Sequence, residues 1–363
     1  MNNDREIIIE SRSPMCGIQA FVEKTKNSYY FYLWYNLMRD SSKVKSCWLC
    51  NRKKAPKKPD IKAMEKGEAP MMPAEFVKHD KKGMELDADR LSIVWFEEGN
   101  GAALFSGEEI IAVIPQWSGM NNFHGYSKYA LGMNTLAWEL NDAAAKNLAQ
   151  RVVKGQRLWY KISGGDNAEM WMFLQEKPAK EFVGEVQTEY GIAFQGEAFS
   201  PKRVVQGTRN GVIYGVTAGV SLAALPLIEM YVEDNPDDHK RIEFGFAAEE
   251  KFSGLCKDMY VNLSSYAAMP WREETFFAHG HTVQMNNIKG FSAVLMVSAR
   301  FQGLECPEYV NIIDSGKINT LWVVPITQEE YDFTVKNGID ELMKRAKDIS
   351  RIHIFDGQNK FTV

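Results

Sequence analysis

Ile318-Asn-Thr-Leu-Trp-Val-Val-Pro-Ile-Thr-Gln-Glu-Glu330 sets out a strand, a stop and a helix start in one stretch. The run from Ile318 to Ile326 is rich in β-branched and aromatic residues, which suit a pleated, buried surface. Thr327-Gln-Glu-Glu330 is a capping box: the Thr327 side chain accepts from the amide three residues on, and Glu330 reaches back to the amide of Thr327. The helix it opens is expected to carry Tyr331, Val335, Ile339, Leu342 and Ala346 on one side. A strand that feeds directly into an amphipathic helix places the chain in the mixed α/β or α+β class.

Upstream, the same pattern predicts strands at Val204–Gln206, Val212–Val216, Leu225–Val232, Arg241–Ala247 and Ser292–Val297. Glu249–Tyr266 spaces Phe252, Leu255, Cys256, Met259, Leu263 and Tyr266 by threes and fours, as a helix with one buried face requires. In the amino-terminal half, strands are expected at Ile18–Val22, Tyr29–Leu37, Leu91–Phe96 and Glu109–Ile114, the last closed by Pro115. A helix is expected from Asn141 to Trp159. Between Lys43 and Lys62 stand eight basic residues and one acidic one, with Pro56 and Pro59, which predicts a long surface loop or an irregular excursion. The glycines from Gly99 to Gly107 and from Gly207 to Gly219 read as hairpin turns rather than phosphate-binding loops. Ser163-Gly-Gly-Asp-Asn167 and the composition shift at 176–185 put a boundary near Gly184, giving domains 1–184 and 185–363. The expected architecture is α+β: two domains, mainly antiparallel sheets with helices packed on them.

The chain has 363 residues, 45% of them hydrophobic, enough for sizeable cores, and a net charge of -4, too negative overall for a general nucleic-acid binder. The least polar run, Val216–Met230, contains Pro226 and is shorter than the ~20 residues a membrane span needs. The first residues carry no export-signal pattern, and five cysteines suit a reducing compartment better than a disulfide framework, so a cytoplasmic location is expected.

Candidate chemistry is sparse. Cys47-Trp-Leu-Cys50 has the spacing of a metal or redox pair, but only Cys16 and His79 lie near enough in sequence to add ligands. It is therefore a weak metal candidate. His279-Gly-His281, with Glu273 nearby, makes a metal-assisted hydrolase imaginable, although no recognised catalytic motif accompanies it. The lysines Lys53, Lys54, Lys57 and Lys58 could serve a regulator of a nucleic-acid-associated partner, though a solvated loop is the simpler reading. Glu229–Glu250 holds eight acids against Lys240 and Arg241 and could meet a basic partner.

From Val204 onward the chain resembles the Suppressor-of-fused domain family. The residues that carry the resemblance are Arg241-Ile-Glu-Phe-Gly-Phe246, Ala267-Ala-Met-Pro-Trp271, Phe277-Ala-His-Gly-His281-Thr-Val283, Ala293-Val-Leu-Met296 and Leu321–Glu330. The amino-terminal half, through Gly101-Ala-Ala-Leu104, Ile114-Pro-Gln-Trp-Ser-Gly119, Phe123-His-Gly-Tyr126 and Leu136-Ala-Trp-Glu-Leu140, looks like what accompanies this domain in bacterial members. The resemblance implies a noncatalytic protein-binding protein, and in bacteria an immunity protein that neutralises a cognate toxin by direct binding. No cofactor, membrane association or direct nucleic-acid contact is expected. The residues expected to bind are Glu233, Asp234, Asp237, Asp238, Trp271, His279 and His281.

Overall fold

The computed structural model describes residues 5–35, 43–59, 61–163, 165–192, 202–314 and 316–363. Residues 36–37 of the expected second strand, residue 164 of the expected turn and residues 1–4 of the terminus lie outside the described residues. The chain forms two compact units, Met1–Tyr160 and Lys161–Val363.

In the first unit, β1 (Glu6–Arg12), β2 (Ile18–Lys24), β3 (Ser28–Tyr35) and β4 (Lys43–Asn51) make an antiparallel meander in sequence order. The expected loop from Lys43 is thus corrected over its first nine residues, which are β4. Its lysines occupy the outer end of the strand, while Cys47-Trp-Leu-Cys50 and Asn51 are buried at the other. Charge at one end hid an apolar strand. A short helix, α1 (Ile61–Glu65), follows. The second sheet runs β5 (Leu91–Trp95), β6 (Ala102–Ser106), β7 (Glu109–Ile114), β8 (Tyr126–Ser127) and β9 (Trp138–Glu139), again in sequence order. Gly99 and Gly107 take positive φ at the two ends of β6, so the glycines do mark hairpin turns, with a strand between them that their density concealed. The expected helix is α2 (Asp142–Ser163), which packs Leu148 and Val152 on Phe96, Ala103 and Val113.

The second unit contains α3 (Gly165–Val183), β10 (Glu185–Ile192), β11 (Lys202–Arg209), β12 (Val212–Ala218), α4 (Ile228–Tyr231), β13 (Arg241–Glu249) and α5 (Ser253–Glu273). It continues with β14 (Thr282–Gln284), β15 (Ala293–Ser298), α6 (Ala299–Gln302), β16 (Ile318–Ile326), α7 (Gln328–Asn337), α8 (Ile339–Met343) and β17 (Ile354–Phe355). The sheet order is β10-β11-β12-β13-β16-β15-β14, and β13 pairs in parallel with both β16 and β17. The fold is α+β, with mostly antiparallel sheets and helices packed on them. α3 lies amino-terminal to Gly184, yet it packs on β11 and β12, sending Ala179, Phe182 and Val183 into a core with Val205, Val212 and Tyr214.

Three local expectations are corrected. Of the glycines from Gly207 to Gly219, Gly211 does turn the chain at φ 75°, but Gly207 and Gly215 lie inside β11 and β12, and a Cβ on Gly215 would strike the Tyr260 ring. Leu225–Val232 is not a strand: Pro226 supplies no amide hydrogen, Leu227 is left-handed at φ 62°, and Ile228–Tyr231 is the helical turn α4. A buried apolar run alone does not separate strand from compact helix. The helix after the capping box stops at Gly338, whose φ is 85°, so Val335 and Ile339 fall in different helices and Val335 is exposed. The box itself forms. Thr327 Oγ1 accepts from the Glu330 amide at 3.2 Å, and Glu330 Oε2 accepts from the Thr327 amide at 2.8 Å. The other Glu330 oxygen accepts from the Phe361 amide at 2.9 Å, fastening the last residues to the helix start.

Candidate protein-binding surface

The motif Arg241-Ile-Glu-Phe-Gly-Phe246 lies inside the second unit, where its alternation splits labour between the two faces of β13. Ile242, Phe244 and Phe246 are buried apolar residues, and Phe244 meets Phe277 edge-on at 5.6 Å. Glu243 accepts from Thr217 Oγ1 (2.6 Å), Ser221 Oγ (2.6 Å) and the amides of Gly219 (3.1 Å) and Ser221 (2.9 Å). Complete burial raises its carboxyl pKa against the pull of these donors. Arg241 donates to the carbonyls of Ser221 and Leu222 and forks onto Asp314. The motif therefore pins the turn from Thr217 to Leu222. It is framework, and no external ligand is needed to explain it.

The surface begins where β13 begins. Buried Lys240 pairs with Glu229 and, at 2.9 Å, with Asp237, closing a loop between α4 and β13. Asp238 pairs with Lys317 at 3.2 Å and Arg300 at 3.6 Å. Glu233 and Asp234 are exposed at the crest. At one foot of the loop Tyr231, 66% exposed, stands 5.2 Å from Phe276, which is 5.1 Å from His281. At the other foot His239 lies 6.0 Å from Phe301, and Phe301 meets His279 at 5.7 Å. Six of the seven expected binding residues thus share one aromatic and acidic surface.

The two motif histidines are held differently. His279 Nδ1 accepts from the Ser298 amide at 3.2 Å, and its Nε2 lies 3.3 Å from the side-chain amide nitrogen of Gln302. His281 Nδ1 lies 3.2 Å from the Phe276 carbonyl, an acceptor, so it carries the proton there. Desolvation lowers the pKa of His239, His279 and His281, keeping all three neutral at neutral pH. Glu273 meets Arg272 at 2.9 Å. Among the described residues, no three His, Cys, Asp or Glu side chains gather as a metal site.

Trp271 lies elsewhere. Its ring is buried in α5, its Nε1 donates to the Ala224 carbonyl at 3.0 Å, and Lys202 Nζ sits 4.5 Å over its face. In the first unit, Cys47 and Cys50 are buried in β4, and desolvation drives both thiols above their ordinary pKa, away from the thiolate that metal binding needs. His79 Nε2 accepts from the Asn51 amide at 3.1 Å, and Cys16 Sγ lies 3.5 Å from the Glu98 carbonyl. Lys53, Lys54, Lys57 and Lys58 are exposed beyond β4.

Sequence reasoning did not single out Tyr231, His239, Phe276 or Phe301. The available signal was the flanking of an acidic loop by Tyr231 and His239, and the doubled ring of Phe276-Phe277 before the histidines.

Residues 203–358, from β11 to just past β17, match the family model for Suppressor of fused protein (SUFU). That family is one of noncatalytic regulators that act by binding protein, and the matched segment holds both the framework motif and the surface above it. No curated protein and no solved structure matches the chain. Among the described residues, no helix is long and apolar enough to cross a membrane.

Proposed function

We propose that this chain is a noncatalytic protein-binding regulator, and that its partner is a cognate toxin which it neutralises in the cytoplasm by direct association. The observation that carries this reading is the family match over 203–358, the segment that also builds the exposed aromatic and acidic surface. A preformed patch of rings with carboxylates around it suits recognition of another protein, since ring area binds at low entropic cost and charge sets orientation. The toxin reading rests in addition on the likeness of the amino-terminal half to bacterial chains that carry this domain.

Co-expression with the product of each neighbouring gene tests it. The expected result is one product that is lethal alone, harmless beside this chain, and recovered with it in a one-to-one complex. Survival without complex formation, or no lethal neighbour at all, would overturn the toxin assignment.

A further inference from the structure

We infer that Tyr231, Phe276, Glu233 and Asp234 form a dock for an arginine-bearing basic segment of the protein partner, an inference that rests on the protein-binding reading above. Tyr231 and Phe276 are inclined at 35° with centroids 5.2 Å apart, and His281 extends the row by a further 5.1 Å. With Tyr231 66% exposed, the outer end of the row is open to a visitor. The charges beside it are unevenly satisfied. Glu229, Asp237 and Asp238 are matched by Lys240, Lys317 and Arg300, whereas Glu233 and Asp234, also exposed, form no ion pair among the described residues. The negative charge left over therefore sits two and three residues beyond the exposed ring.

Rings beside unmatched carboxylates select a cation, and the kind of cation follows from shape. A guanidinium is planar, so it stacks on a ring face while its edge forks onto a carboxylate, which a compact ammonium does not do. The histidine at the inner end of the row does not oppose it, because burial keeps His281 neutral at neutral pH. The His281 proton is committed to the Phe276 carbonyl, which turns Nε2 into one more acceptor beside the row.

The test uses the full chain and two labelled peptides of equal length and charge, one of glycine-spaced arginines and one of glycine-spaced lysines. Affinity is read by fluorescence anisotropy at about 50 mM salt, where surface charge is only partly screened. The arginine peptide is expected to bind about fivefold more tightly, the scale of an exposed cation–π contact. Tyr231→Ala should abolish that preference and Tyr231→Trp should keep it; both alter an exposed side chain. Glu233→Gln with Asp234→Asn should weaken both peptides. Equal affinity for the two peptides, or a preference that survives Tyr231→Ala, overturns the dock. So does a toxin complex whose affinity is untouched by these variants, an outcome that leaves the protein-binding reading standing. Arginine preference that depends on Tyr231 supports the dock even where no neighbouring gene product binds, the outcome that counts against the toxin reading alone.

Discussion

The two units differ in charge and in how their strands find one another. Met1–Tyr160 carries 23 Lys and Arg against 19 Asp and Glu, while Lys161–Val363 carries 20 against 28. The modest overall charge of -4 conceals a basic unit and an acidic one. Both sheets of the first unit are ordered as the chain runs, so each strand needs only its neighbour in sequence. In the second unit β13 lies beside β16, some seventy residues later, and Gly245 comes opposite Trp322. Long-range pairing fixes particular residues against one another. A meander constrains mainly the alternation of apolar and polar positions, and many sequences satisfy that.

The largest effects should come from two glycines, one in each unit. A Cβ on Gly245 would stand 2.5 Å from a ring carbon of Trp322, and one on Gly155 would stand 2.3 Å from the Trp95 carbonyl oxygen. Gly155 lies within α2, where alanine ordinarily stabilises by up to about 1 kcal/mol. Here the sign should reverse. Gly245→Ala and Gly155→Ala are each expected to cost about 2–3 kcal/mol, the range of an overpacked core, in urea unfolding. Hydrogen exchange should place the lost protection around β13 and β16 for the first and around α2 and β5 for the second. Loss spread evenly over both units in either variant would mean that the two cores do not respond separately.

Acid should separate the units next. His353 is 4% exposed, its ring is tilted at 41° to that of Trp322 with centroids 4.8 Å apart, and among the described residues neither of its ring nitrogens has a hydrogen-bond partner. Desolvation, with the nearby charges of Lys360 and Arg351, lowers its pKa to about 4. A histidine whose folded pKa lies below its unfolded value of about 6.5 favours folding above that value, and the contribution drains away as pH falls toward 4. The loss is on the order of 3 kcal/mol. The second unit of the native chain should therefore weaken between pH 6.5 and 4, and His353→Phe should flatten that fall. An equal decline in native and variant chains would assign the acid limit to other groups.

These same residues show what the sequence made legible. The capping box, β7 and β16 were readable because a cap and a strand are local patterns, complete within a few residues. The framework motifs that carried the resemblance hold residues the fold packs closely, Gly245 against Trp322 and Glu243 against the turn from Thr217 to Leu222. β4 was missed because Lys43 and Lys45 mark only its outer end, and α4 because Pro226 and Leu227 turn an apolar run that periodicity cannot orient. The candidate surface was half legible. Its acids and histidines stood out as residue types, whereas its rings come from α4, the segment after α5, and α6, which only the folded sheet brings together. Trp271 stood out for the same reason as the histidines, and its burial in α5 shows that residue type alone does not separate a surface from a core.

The smallest effects test whether the opposite charges of the two units have separate roles. If the acidic loop meets a basic partner, Glu233→Gln with Asp234→Asn should slow association several-fold at low salt and change dissociation less, because long-range attraction acts mainly on the approach. Removing four charges from the first unit, twice as many, gives the control. Lys53, Lys54, Lys57 and Lys58 are exposed, and replacing them with glutamine should move stability by no more than about 0.5 kcal/mol. Removal of these like charges should leave association with the basic partner unslowed, since they only repel it. Stopped-flow mixing at two salt concentrations reads both variants together. Slower association in the lysine variant would mean that the partner's acidic groups meet the first unit, and the contact would then have to be sought on the basic segment beyond β4 instead of the loop before β13.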